Sequence, residues 1–368
     1  ICLGSPVTLT LSGPTGTVQR WERRLLPSAT WTNVANTNTT YTYTPPSVGT
    51  WEFRALVQSG SCSSTYSTVR SIQVDPTSVG GTTSGGTSPI CINTPTGNIT
   101  LSGYTGNIVR WQWRRNAGTW NNIANTTPTL NYTPTNSGTY DFRAEVRSGS
   151  CPSVYSTLTT IIVNPASVGG AVTGGTTPIC LGSATGNMTL SGYTGTVVRW
   201  QRRVNAGAWS NIANTTATHN ETPPLAGTWD YSAEVQSGAC SLVFSTPRTI
   251  IVMSPSVGGT ISGGTTPLCA GVSTGTMTLS GYTGAIVRWD KRVDGGSWSS
   301  ISNTAATYSE IPSSSGTWEY RAYVQNSPCS GEYSSIRTLV VRPQYTAQLH
   351  DDISICNNTA ANFNIILS

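Results

Sequence analysis

The stretch SGTYDFRAEVRSGSC, residues 137–151, decides how this chain is expected to fold. Tyr140, Phe142, Ala144 and Val146 alternate with charged side chains along it. Alternation with a period of two is typical of a β-strand that buries one face. A Ser-Gly turn follows, and then the apolar stretch STLTTIIVNP. The two stretches together predict a hairpin inside an all-β domain.

Related stretches occur four times, because the chain repeats itself every 89 residues. Two series of cysteines mark the period, with 60 residues between the members of each pair: Cys2 and Cys62, Cys91 and Cys151, Cys180 and Cys240, Cys269 and Cys329. A unit of this length can hold its own core, so we predict four tandem domains rather than a solenoid. The predicted boundaries are 1–76 (without its N-terminal strand), 77–165, 166–255 and 256–343, and residues 344–368 begin a divergent, truncated fifth domain.

A glycine-rich phrase separates the repeats, as in SVGGTTSGGTSPIC at residues 78–91. Its glycines permit unusual backbone angles, while its valine and threonines favour strand. We predict a short linker followed by an edge strand, and a flexible linker alone is the alternative.

Composition argues against several classes of function. Charged residues make up 10% of the chain, and the net charge of +5 forms no basic block, which argues against nucleic-acid binding. No apolar run approaches the roughly 18 residues of a membrane span, so we expect no membrane insertion. The cysteine spacing does not suit zinc, and no P-loop or EF-hand is present. His219 and His350 are the two histidines, and His219 is predicted to fill a strand position. We expect no enzyme activity, no cofactor and no metal.

The repeated elements resemble a known class of proteins. They are SVGGTxxGGTxPIC, LSGYTG, VVRW and GTWxYRAxV, followed by a closing cysteine. Together they resemble the immunoglobulin-like tandem repeats of giant Bacteroidota cell-surface proteins, which include gliding-type adhesins exported by type IX secretion. The resemblance covers residues 1–343. It implies tandem immunoglobulin-like β-sandwiches arranged as an elongated rod, with Trp111 and its equivalents as the buried core tryptophan. The second cysteine of the immunoglobulin pattern is replaced by Phe142 and its equivalents, so the usual inter-sheet disulfide is absent.

The resemblance also implies a function and a location. We expect a stalk segment of an extracellular adhesin or surface fibre that spaces a distal tip from the cell. Its partners would be other domains of the same chain, surface polysaccharide or outer-membrane surface machinery. A polysaccharide-binding array and a self-assembling filament are the alternatives.

The cysteines indicate disulfides and an oxidising compartment. The expected bonds lie within repeats: Cys2–Cys62, Cys91–Cys151, Cys180–Cys240 and Cys269–Cys329. Each would stabilise its domain by about 3–4 kcal/mol. The alternative joins neighbours such as Cys62 and Cys91. The last neighbouring gap differs from the others, which favours the first scheme and leaves Cys356 for a partner beyond the chain.

Each repeat also carries an arginine-rich strand beside a tryptophan. This strand is a candidate for contact with anionic polysaccharide through Arg110, Arg114, Arg115, Arg199, Arg202 and Arg203. The alternative is that these cations pair with acids on the adjacent strand, namely Glu52, Asp141, Asp230 and Glu319.

Overall fold

The computed structural model describes residues 1–345 and, beyond them, two short strands. The described chain is all-β, as predicted. Repeat 1 contains β1 (Val7–Thr10), β2 (Thr17–Leu25), β3 (Thr32–Val34), β4 (Thr40–Tyr43), β5 (Gly49–Gln58), β6 (Thr65–Tyr66) and β7 (Arg70–Val74). Repeat 2 contains β8 (Thr82–Gly85), β9 (Ile90–Cys91), β10 (Ile99–Ser102), β11 (Asn107–Arg115), β12 (Asn121–Ile123), β13 (Thr129–Leu130), β14 (Gly138–Arg147), β15 (Val154–Tyr155) and β16 (Thr159–Asn164).

The other two repeats have the same order of strands. Repeat 3 contains β17 (Ala171–Gly174), β18 (Ile179–Cys180), β19 (Met188–Ser191), β20 (Thr196–Val204), β21 (Ser210–Ile212), β22 (Thr218–His219), β23 (Gly227–Gln236), β24 (Val243–Phe244) and β25 (Arg248–Met253). Repeat 4 contains β26 (Thr260–Gly263), β27 (Leu268–Cys269), β28 (Met277–Ser280), β29 (Ala285–Val293), β30 (Ser299–Ile301), β31 (Thr307–Tyr308), β32 (Gly316–Gln325), β33 (Glu332–Tyr333) and β34 (Arg337–Arg342). Beyond them lie β35 (Ala347–Gln348) and β36 (Ile366–Leu367). The predicted fifth domain, with His350 and Cys356, falls almost wholly outside the described residues.

Each repeat is a sandwich of a small and a large sheet, as repeat 2 illustrates. The small sheet has the order β13-β10-β8, and the large sheet has the order β12-β11-β14-β16-β9, with β15 beside β14. Strand β9 runs parallel to β16, while the other pairs in these two sheets are antiparallel. The immunoglobulin-like prediction is therefore confirmed.

The core of repeat 2 consists of the side chains that the alternating pattern assigned to one face. Tyr140, Phe142, Ala144 and Val146 are all buried. Trp111 is fully buried on the facing strand, and its indole N–H donates a hydrogen bond of 2.9 Å to the carbonyl oxygen of Thr127. The expected core tryptophan is confirmed, together with the bond that a buried indole needs.

The glycine-rich phrase forms an edge strand after a short linker, as predicted. In repeat 2, β8 pairs antiparallel with β10. Val79 makes an isolated bridge to Thr105 just before this strand. The backbone of Gly80 passes so close to Tyr155 that a Cβ on Gly80 would lie 2.1 Å from the Tyr155 carbonyl oxygen. Glycine is required there by a close approach of backbones.

The contacts of the chain divide it into two compact units. The first holds Ile1–Val168, Thr194–Thr196 and Gln236–Val243, and the second holds the rest of the chain from Gly169 onward.

Candidate functional site

The two cysteines of one repeat lie at opposite ends of its last strand, so they cannot bond to each other. In repeat 2, Cys91 pairs in parallel register with Asn164, the last residue of β16. Cys151 lies in the hairpin before β15, where the return strand begins. About ten residues of extended strand separate the two ends, or roughly 30 Å. A disulfide needs Cα atoms within about 7 Å.

Disulfides instead join each repeat to the next. Their Cα–Cα distances are 4.7, 4.8 and 5.0 Å, and each closes a separation of 149 residues: Cys2–Cys151, Cys91–Cys240 and Cys180–Cys329. The predicted bonds Cys2–Cys62, Cys91–Cys151, Cys180–Cys240 and Cys269–Cys329 are therefore wrong, and so is the alternative that joins neighbours. Cys62 and Cys269 are free and exposed, and Cys356 lies outside the described residues.

Hydrogen bonds accompany the first of these disulfides. The amide of Ser150 donates to Asp75 Oδ2 at 3.0 Å, and the amide of Ser148 donates to Ser78 Oγ at 2.9 Å. Cys151 is 2% exposed, with its sulfur 3.2 Å from the carbonyl oxygen of Pro76. The backbone bond from Ser150 lowers the pKa of Asp75, although partial burial acts in the opposite direction. We call each such set, namely the end of one repeat with its disulfide to the hairpin of the next, a junction.

The other two junctions use the same backbone positions with different side chains. At the second, the amide of Ala239 donates to Asn164 Oδ1 at 3.1 Å, and the amide of Ser237 donates to Ser167 Oγ at 2.9 Å. At the third, Met253 stands at the position of Asp75 and offers no acceptor, and Asn326 Nδ2 donates instead to the carbonyl oxygen of Ser254 at 2.8 Å. The disulfide is common to all three junctions, and the polar bond beside it varies.

Most of the arginines proposed for polysaccharide contact are held by carboxylates. Arg110 pairs with Glu145 at 2.6 Å and Arg114 with Asp141 at 2.8 Å. The remaining pairs are Arg199–Glu234 at 2.6 Å, Arg203–Asp230 at 2.9 Å and Arg202–Glu221. The predicted acid partners are confirmed in all four repeats, since Arg24 pairs with Glu52 and Arg292 with Glu319.

Arg115 differs from the other five, because it is exposed on the rim of a cleft. The cleft encloses about 240 Å³ and is lined in part by Trp113 and Tyr140. Trp113 is peculiar to repeat 2, since Arg23, Arg202 and Lys291 take its place in the other repeats.

Comparison with known proteins identifies the repeat. A family model described as "Domain of unknown function (DUF8696)" matches residues 1–76, 79–165, 168–254 and 257–343. The chain belongs to the DUF8696 family. A crystal structure of the FN1–FN3 domains of chicken CNTN1 is similar at 12% identity and a TM-score of 0.29, and the match covers 72% of this chain and 99% of that one. No curated protein matches the chain.

A stack of rings and guanidinium groups covers one face of the large sheet in DUF8696 repeats 1, 2 and 4. In repeat 2, the Arg143 guanidinium lies 3.8 Å from the Trp120 ring centroid and 3.6 Å from that of Tyr155. Burial lowers the pKa of Arg143. The same sandwich is formed by Trp31, Arg54 and Tyr66 and by Trp298, Arg321 and Tyr333. The sequence analysis missed this stack, although its tryptophan and arginine recur in register.

A buried carboxylate lies beneath each stack, and it changes strands between DUF8696 repeats. In repeat 1 it is Glu22 on β2, bonded to Arg20 and Arg54 at 2.8 and 2.7 Å. Burial raises the pKa of Glu22, but the hydrogen bonds from these arginines outweigh it, so the pKa is lowered. In repeat 2 the carboxylate is Glu145 on β14, and neutral Gln112 takes the position of Glu22.

His219 fills a core position, as predicted. It lies opposite Met188 in the small sheet of DUF8696 repeat 3, and its ring centroid is 5.4 Å from that of Trp200. Its Nε2 lies 3.4 Å from Glu221 Oε2. Burial raises the pKa of Glu221, yet the hydrogen bonds from His219 and Tyr231 and the charge of Arg202 lower it below the usual value.

Two further searches concern the described residues. No three His, Cys, Asp or Glu side chains of residues 1–345 come together in a way that could hold a metal ion. No helix in the described part of the chain has the length and apolar character that a membrane crossing requires. The three disulfides indicate an oxidising environment outside the cytoplasm.

Proposed function

We propose that this chain is a non-enzymatic stalk segment of a large bacterial cell-surface adhesin or fibre, of the type known from gliding Bacteroidota, and that it spaces a distal tip from the cell. Four DUF8696 repeats in tandem suit a spacer, since a specialised binding domain is expected to differ from its neighbours. A segment of this kind must transmit force between its ends without lengthening.

The observation that carries this proposal is the order of the disulfides along the chain. A pull on the two ends reaches Cys2 and passes across the bond to Cys151. It then follows the chain to Cys180 and crosses the bond to Cys329. About 70 residues bear the pull in the full chain, and covalent bonds bypass all the others. Fully extended, those residues span about 240 Å.

Single-molecule pulling on the full chain tests the proposal. With the disulfides intact, we expect an end-to-end length that stops near 240 Å, and after reduction a length of about 1,300 Å. Bonds within repeats would leave about 130 residues under load and a limit near 440 Å. A gain of more than about 400 Å before reduction would remove the basis for a load-bearing stalk.

The cleft beside Arg115 favours a second candidate function, contact with polysaccharide at repeat 2. An exposed cation next to the rings of Trp113 and Tyr140 offers a stacking surface and a charge to an acidic sugar. Glycan-array binding that is lost in Arg115→Ala and kept in Arg114→Ala would support this candidate. Arg114 is the matched control because its charge is already held by Asp141. Equal binding by both variants and the unaltered chain would exclude the cleft.

A further inference from the structure

Cys62 occupies the position that is disulfide-bonded in every later repeat. Its equivalents Cys151, Cys240 and Cys329 each bond to the first cysteine of the repeat before them. They are 2–3% exposed, whereas Cys62 is free and exposed. We infer that Cys62 is a docking point for a further DUF8696 repeat, which would supply the first cysteine of a fourth junction.

The hairpin around Cys62 already has the shape that it adopts in a junction. The amide of Cys62 donates to the carbonyl oxygen of Ser59 at 3.0 Å, and in the second repeat the amide of Cys151 donates to that of Ser148 at 2.8 Å. Gln58 Nε2 donates to the carbonyl oxygen of Cys62 at 2.9 Å, as the equivalent glutamines do at Cys240 and Cys329. No rearrangement of the hairpin is needed for a partner to bind.

Gly60 defines what the partner must present beside its cysteine. Gly60 has a φ of +52°, close to the +50° of Gly149, and nothing lies within 4 Å of the place where its Cβ would be. At Gly149 the same place is filled by the carboxylate of Asp75, and at Gly238 by the amide of Asn164. A partner with Asp or Asn at that position would fill the space and accept the Ser61 amide.

Cys269, the other free cysteine, has different surroundings. It pairs with Arg342 as Cys91 pairs with Asn164, so its strand is in place. Arg342 stands at the position of Asp75, however, and exposed Tyr345 stands at that of Ser78. Neither supplies the carboxylate or amide oxygen that the Gly60 hairpin would accept. The partner of Cys62 is therefore a repeat with the features of repeats 1 and 2, and Cys269 of a second copy does not match it.

The bond forms by an ordinary thiol oxidation. The two thiols lose two protons and two electrons as the S–S bond forms, and a low-molecular-weight disulfide such as oxidised glutathione takes them up, giving two reduced thiols. Cys62 would bond in this way whether or not the chain serves as a stalk.

An added repeat tests the inference. A copy of residues 79–178 is fused directly before Ile1 of the full chain, which places the copied Cys91 149 residues ahead of Cys62. After refolding with oxidised and reduced glutathione, we expect peptide mapping to find these two cysteines bonded in most molecules. Replacing the copied Asn164 by Met, as at Met253, is expected to slow the bond about fivefold, which corresponds to one lost hydrogen bond.

Three results would overturn the inference. The first is Cys62 recovered as a free thiol or as a mixed disulfide with glutathione while the three original disulfides form. The second is an equal rate with Asn and Met in the copy. The third is efficient Cys62–Cys269 dimers from the unextended chain, since they would show that the acceptor is not required. A chain in which the three original bonds also fail is misfolded, and the same extension with its copied Cys91 replaced by Ser then shows whether the added cysteine is the cause.

Discussion

A Cβ placed on Gly149 would lie 2.0 Å from Oδ2 of Asp75, although 74 residues separate the two along the chain. The carboxylate occupies the space left by the missing side chain and accepts the amide of Ser150 beside it. The end of the first repeat and the hairpin of the second therefore fit through a glycine and an acid. Asn164 and Gly238 repeat this relationship at 2.2 Å.

Gly149→Ala should weaken the first junction more than Gly60→Ala weakens the hairpin of repeat 1. The two glycines have nearly the same positive φ, so the backbone strain of the substitution is shared. Only at Gly149 must a carboxylate move and give up its hydrogen bond, which costs about 1–3 kcal/mol more. Urea unfolding of both variants measures the difference. Equal losses would show that Asp75 does not occupy this space.

The first junction should weaken in acid, and the second should not. The pKa of Asp75 is lowered in the folded chain, chiefly by the backbone bond from Ser150. Its contribution is therefore present above the unfolded value near 3.8 and is lost as the pH falls through the folded value. The relative rate at which a phosphine reduces Cys2–Cys151 and Cys91–Cys240 measures this, because Asn164 does not titrate. We expect the ratio to rise below about pH 4 and to stay constant in Asp75→Asn; a constant ratio in the unaltered chain would contradict the assignment.

Arg143→Ser should destabilise repeat 2 by about 1–2 kcal/mol. The substitution removes the cation between Trp120 and Tyr155 and the bond of 2.9 Å from Arg143 Nε to Gln112 Oε1. Repeat 3 has Ser232 at this position. Urea unfolding followed by tryptophan fluorescence measures the loss, and exposed Arg115→Ser is the control, with an expected change within about 0.5 kcal/mol. A loss no greater than that of the control would mean that the stack contributes nothing to stability.

Two cysteine substitutions should differ sharply in pulling experiments. Cys180→Ser opens the load path, and about 190 residues then extend to about 660 Å. Cys91→Ser removes a disulfide that the load path bypasses, so the limit should stay near 240 Å. Equal lengths for the two variants would contradict the staggered order of the bonds.

The fold could be predicted from the sequence because its signals are local. Alternation around Phe142 identified the strand, and the recurrence of Trp111 identified the core. The ion pair of Arg114 with Asp141 was also within reach, since both residues recur in register on adjacent strands. The domain boundaries stay a prediction.

The disulfides could not be predicted, because a period of 89 residues is compatible with every pairing of the two series. The choice depends on which ends of a sandwich carry Cys91 and Cys151, and that follows from the parallel pairing of Cys91 with Asn164. Sequence spacing holds no information on that pairing. The ring stack was missed for a related reason, since Trp120, Arg143 and Tyr155 come from three different strands or loops.

Peptide mapping of the unreduced chain tests the central claim most directly. The purified full chain is blocked with a maleimide, digested without reduction and analysed by mass spectrometry. We predict crosslinked peptides that join Cys2 to Cys151, Cys91 to Cys240 and Cys180 to Cys329, together with alkylated Cys62. Peptides that join Cys2 to Cys62 or Cys91 to Cys151 would contradict the account, and with it the junctions and the load path that depend on them.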